Sequence, residues 1–125
     1  MEIEKMKSNL RMSHLYFSEC SVIRGRDVKE GKYQADLKRD IRKTEEHEYD
    51  IELCLSIKKD DLTVSVKAYA HFLYEADEYS KEEDIIKDNT VAIMFPFIRS
   101  QVTLLTTQPG MMPIVLPPIN TQKFI

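Results

Sequence analysis

Three histidines, two cysteines and several runs of acids are the side chains of this 125-residue chain that could do chemistry. His47 stands in EEHEYD, beside Glu45, Glu46 and Glu48. An imidazole among carboxylates can move protons when the groups converge on one reacting atom. Sequence neighbours in a turn point apart, so this stretch is expected to be a solvated charged turn. His14 and His71 each stand alone in strand-like sequence. A metal site needs three or four ligands at matched spacing, and no segment supplies them. Cys20 and Cys54 lack Cys-x-x-Cys spacing and fall in strand-like sequence. They are expected to be reduced, buried small hydrophobes. The only glycines are Gly25, Gly31 and Gly110, too few for a phosphate-cradling loop, and no nucleophile elbow is present. The reading is therefore no enzyme, with no catalytic residue, metal or cofactor.

A different chemistry is written in GMMPIVLPPIN, Gly110 to Asn120. Met111, Met112, Ile114, Val115, Leu116 and Ile119 sit among three prolines, which break helices and central strands. Loops run over the surface and are usually polar. An apolar loop can fold into the core, enter a subunit interface, or wall an exposed groove that binds something apolar. Methionine suits the groove, because its flexible, polarizable side chain accepts many shapes.

The elements before that loop alternate. YQADLKRDIRK turns Tyr33, Ala35, Leu37 and Ile41 to one side, and YDIELCLSI does the same with Tyr49, Ile51, Leu53, Leu55 and Ile57. LTVSVKAYAHFLY follows with Leu62, Val64, Val66, Ala68, Ala70 and Phe72. Period two marks half-buried strands, and short turns between them make an antiparallel meander. Leu10–Ile23 also reads as strand, with apolar residues of both parities. RGRDVKEGK is a charged loop.

The apolar sheet face needs a lid. Glu75–Asp88, with seven acids and two lysines, reads as a solvated acidic connector or a docking surface for a basic partner. Residues 89–107 supply the lid: Val91, Met94, Phe95, Ile98, Val102 and Leu105 recur at helical spacing. Asn89 or Thr90 can cap that helix, Asp84 and Asp88 suit its dipole, and Pro96 kinks it or sets its start. Ile93, Phe97 and Leu104 lie off the main stripe, so the second side is expected at an oligomer interface, most simply a two-fold one.

The fold class is thus α+β, one domain over 1–125: sheet 8–74, acidic connector 75–88, helix 89–107, and an apolar Pro-rich loop and C-terminus over 108–125. Composition agrees, with 42% apolar and 31% charged residues. A formal net charge of −3 argues against nucleic acid as partner. The longest apolar run, VAIMFPFI, is too short to span a bilayer, and the N-terminus lacks a signal-peptide core. The expected location is cytoplasmic, without membrane insertion.

FPFIRSQVTLLTTQPGMMPIVLPPIN, Phe95 to Asn120, resembles the SecB family of export chaperones. Phe95, Pro96, Phe97, Arg99 and Thr103 match the family's helix, and Leu116, Pro118, Ile119 and Asn120 match its loop. KYQADLKRDI looks like the family's second strand, with Tyr33 at the aromatic position. YDIELCLSI and MSHLYFSECSV fit the third and first, and the likeness covers about residues 8 to 120.

The resemblance implies a four-stranded antiparallel sheet on a long helix, and a dimer or dimer of dimers. It implies an ATP-independent holdase for unfolded or nascent polypeptides, or a dedicated module for one partner such as an antitoxin. By carry-over, Tyr33, Met111, Met112, Ile114, Leu116 and Ile119 would line the client groove. Two departures stand out. The family continues into a second helix and an acidic tail that contacts the SecA motor, whereas this chain ends in TQKFI, which makes SecA a weaker candidate partner. RGRDVKEGK is charged where the family has an apolar, proline-bearing loop.

Overall fold

The computed structural model describes residues 9–29 and 31–118. Four strands, β1 (Leu10–Arg24), β2 (Gln34–Glu45), β3 (Glu48–Lys59) and β4 (Leu62–Tyr74), precede one helix, α1 (Glu82–Thr106). The sheet is antiparallel with order β1-β4-β3-β2. β2, β3 and β4 form the expected meander, and β1 pairs with β4 rather than with its sequence neighbour.

The alternating residues of β3 and β4 build the core. Ile51, Leu53, Leu55 and Ile57 lie on the same face as Val64, Val66, Ala68, Ala70 and Phe72, and all are buried. β1 mixes parities because it is irregular. Its register against β4 shifts between Ser13 and Tyr16 and again between Phe17 and Glu19, and His14 takes a φ of 55°. An extra residue in one strand reverses which side its successors face. Leu15 and Phe17 thereby join Leu10 and Met12 in packing on the core. The expected burial of the cysteines is corrected, because β1 is an edge strand and Cys54 alternates with the inward Leu53 and Leu55. Both are free thiols, but Cys20 is exposed and Cys54 lies half-buried on the outer sheet face.

The helix begins earlier than its apolar pattern predicts. It starts at Glu82, inside the supposed acidic connector, so the helix spans 82–106 rather than 89–107. Neither Asn89 nor Thr90 caps it: Lys81 is the N-cap, without a side-chain cap bond, and Thr90 is buried with its hydroxyl bonded back to the Ile86 carbonyl. Glu82, Glu83 and Asp84 occupy the first turn, where negative charge opposes the positive end of the dipole. Pro96 lies inside the helix. It withdraws one donor from the Ala92 carbonyl, on an exposed face where water can replace it. Ile86, Val91, Met94, Ile98 and Val102 close over the sheet.

β1 and β2 are opposite edges, so the chain from one to the other crosses the end of the sheet. It runs over the β3–β4 hairpin and is pinned there. Gly25 N–H donates to the Asp61 carbonyl at 3.0 Å, Asp27 N–H to Asp61 Oδ2 at 3.2 Å, and Lys29 N–H to Asp60 Oδ2 at 3.0 Å. A Cβ on Gly25 would stand 2.6 Å from the Asp61 Cβ, closer than any side chain tolerates. The loop that departs from the SecB pattern therefore serves as a strap across the hairpin.

Candidate peptide-binding groove

The strap, the β3–β4 end and the loop after α1 meet around a cavity of about 330 Å³. Val28 from the strap, Tyr33 at the entry to β2, Leu62 from β4, and Met111 and Met112 give it apolar walls. Arg24, Lys29 and Lys59 stand among them. The loop reaches this position through the last turn of the helix. Gly110, at φ 77°, makes the left-handed step out of a turn closed by Met111 N–H to the Gln108 carbonyl at 3.1 Å. Thr103 Oγ1 then donates to the Ile114 carbonyl at 2.8 Å, and Thr106 Oγ1 accepts the Ile114 N–H at 2.8 Å. Ile114, so clasped, is buried in the core, while Met112 is 82% exposed.

Of the groove residues expected from sequence, Tyr33, Met111 and Met112 come together here. Ile114 does not line the opening but plugs the core, and Leu116 packs half-buried against that core. Ile119 lies outside the described residues, as does TQKFI, to which the expectation about SecA attaches. Sequence reasoning missed Arg24, Lys29 and Lys59, whose only common property is where the strap and hairpin put them.

On the helix, Phe97 is 44% and Leu104 67% exposed. Ile93 is half-buried and lines a separate cleft with Leu10, Ile85 and Ala92. The second side of α1 thus carries Phe97 and Leu104 exposed and Ile93 half-buried. The outer edges of β1 and β2 have no strand partner among the described residues.

His47 departs from the expected solvated turn. It is half-buried at φ 62°, stacked on Tyr79 with ring centroids 3.8 Å apart, and its Nδ1 is bonded to Glu82 Oε1. The Tyr49 hydroxyl donates to Glu82 Oε2 at 2.5 Å. Burial alone would push the Glu82 carboxyl up, but the bonds from Tyr49 and His47 outweigh it and hold Glu82 below the ordinary carboxylate range. Burial and the bond to Glu82 push Tyr49 up. These groups spend their polar atoms on one another, tying the helix start to the β2–β3 turn.

On the outer sheet face His71 Nδ1 lies 2.8 Å from Asp50 Oδ1 and its Nε2 3.2 Å from Glu48 Oε1. Arg42 donates to Asp50 Oδ2 at 2.9 Å. The hydrogen bond to Asp50 raises His71 against the opposing effect of burial. Burial works to raise Asp50, but the bonds from Tyr69, His71 and Arg42 win and bring it down to about 2. Among the described residues no three potential ligands are grouped to hold a metal ion, and no helix is long and apolar enough to cross a membrane.

A four-stranded antiparallel sheet covered by one helix matches the fold of a SecB-like chaperone. The chain superposes on a Mycobacterium tuberculosis SecB-like chaperone, Rv1957, solved in complex with a ChAD peptide from the HigA1 antitoxin Rv1956. The TM-score is 0.73 over 93% of this chain and 91% of that one, at 12% sequence identity. The resemblance read from the sequence is borne out in the fold. No family model matches the sequence. The uncharacterized protein MJ0357 of Methanocaldococcus jannaschii is 31% identical over 62 residues, which are 50% of this chain and 40% of that protein.

Proposed function

We propose that this protein is a divergent SecB-like chaperone, an ATP-independent holdase that takes extended segments of unfolded or nascent polypeptides. The observation that carries the reading is the groove itself. Tyr33, Met111 and Met112 are apolar, accessible and clustered, and Thr103 and Thr106 of the helix hold the methionine loop by the Ile114 backbone just beyond. Burying apolar client surface there contributes about 25 cal/mol per Å², and the outer edge of β2, which has no strand partner among the described residues, can add main-chain hydrogen bonds. The protein acts in the cytoplasm as a homo-oligomer, with Ile93, Phe97 and Leu104 at the subunit contact. Uncovered apolar residues along one helix side support that assembly. The test is aggregation of a chemically unfolded client diluted into buffer. Stoichiometric amounts of the folded protein are expected to suppress light scattering without nucleotide, and unchanged scattering would overturn the reading.

A second reading is favoured by one observation: the structural neighbour was solved with an antitoxin peptide. On it, the groove serves a single dedicated partner. Purification from the native host separates the two, since a holdase retains many clients and a dedicated module retains one.

A further inference from the structure

The whole chain carries a net charge of −3, yet among the described residues every charged group in the groove lining is a cation: Arg24, Lys29 and Lys59. The reason lies in the hairpin. Asp60 and Asp61 follow Lys59 directly, but each spends a carboxylate oxygen on the strap's backbone, accepting from Lys29 N–H and Asp27 N–H. Arg24 donates to the neighbouring Gly25 carbonyl at 3.3 Å. Lys59 Nζ sits 5.0 Å above the Tyr33 ring, a cation–π contact that holds an ammonium over the apolar wall. Lys29 has Asp27 at 3.9 Å, both side chains well exposed, so that pair is weak. Among the described residues no carboxylate lies within ion-pair distance of Arg24 or Lys59. A shallow cleft beside the groove brings Lys32 and Lys58 next to Lys59, with Asp60 and Gln34 completing its lining, so cations outnumber the one carboxylate there.

We propose that this groove selects polypeptide segments in which an apolar stretch is flanked by aspartate or glutamate. The proposal rests on the holdase reading and adds a client class to it. In an extended segment alternate side chains share one face and stand roughly 7 Å apart. Lys59 stands 5.0 Å from the Tyr33 ring and Arg24 lines the same groove, so when an apolar residue sits on Tyr33 and Met112 the side chains two positions to either side face these cations. A carboxylate there gains a charge-assisted partner, and a lysine meets like charge, so the cationic mouth discriminates by attraction and by repulsion.

The test uses fluorescence anisotropy with labelled peptides sharing one aromatic–aliphatic centre and flanked by Glu, Gln or Lys. The Glu-flanked peptide is expected to bind at least about fivefold tighter than the Lys-flanked one at about 50 mM salt, with the gap closing as salt rises. Arg24→Glu with Lys59→Glu should reverse the order while the melting temperature holds; if the pair does not fold, Lys59→Gln should narrow the gap. Equal binding of Glu and Lys peptides, or preference for Lys, overturns the proposal. The Gln-flanked peptide separates the two claims. If it binds while charge has no effect, the holdase reading stands and the charge preference falls; if no peptide binds, both fall.

Discussion

Thr106 accepts the amide hydrogen of Ile114 at 2.8 Å while donating its own hydroxyl to the Val102 carbonyl at 2.8 Å. Both residues are buried. One helix hydroxyl thus fixes where the apolar loop turns back, and Met111 and Met112 take their places on the groove because Ile114 is held in the core.

Thr106→Val keeps the volume and removes the acceptor. The buried Ile114 N–H is left unpaired, a cost of about 1–3 kcal/mol. Chemical denaturation should register that loss, and Thr106→Ser, which keeps the hydroxyl, should recover most of it. Equal midpoints for the Val and Ser variants would remove the clasp from the account.

Stability should bend with pH in two places and in opposite directions. His71 is raised from 6.5 by its bond to Asp50. Its contribution is complete below pH 6.5 and is lost as pH rises through the raised folded value. Glu82 is lowered from 4.5, so its contribution is complete above 4.5 and is lost as pH falls through the lowered value. Denaturation midpoints measured from acid to mildly alkaline pH should show both declines. His71→Gln should flatten the alkaline decline, and Glu82→Gln should reduce the acid one without abolishing it, since Asp50, brought down to about 2, adds its own loss at low pH.

Phe97 and Leu104 stand exposed on the helix face that turns away from the sheet. Placing a charge there should cost the fold little, since neither side chain is buried in the chain, and should cost an oligomer much. Phe97→Asp is expected to shift native mass spectra toward monomer at micromolar concentration with far-UV circular dichroism unchanged. A wild-type protein that is already monomeric would refute the assembly.

Much of the sheet is legible in the sequence because its faces differ. In β3 and β4 inward and outward residues alternate without a break, so period two alone sorts Ile51 from Glu52 and Val64 from Ser65. β1 is not legible in this way, since the turn of backbone at His14 reverses the parity and nothing local announces it. The helix start is hidden for another reason. Glu82 reads as a solvated acid, and only Tyr49 and His47, brought in by a distant hairpin, make its burial favourable. The groove is half visible. Its methionines and Tyr33 are apolar where apolar residues are unexpected, whereas Arg24, Lys29 and Lys59 look like ordinary surface charges until the strap crosses the hairpin.

Met112 is the most direct probe of the groove, being 82% exposed and free of any packing duty in the core. The decisive measurement is the affinity of a labelled, unfolded apolar peptide for the wild type and for Met112→Asp, with thermal melts of both. The account expects saturable binding by the wild type, a loss of at least about tenfold in the variant, and superimposable melts. Unchanged affinity in a folded Met112→Asp protein would contradict the claim that this groove is where polypeptide binds.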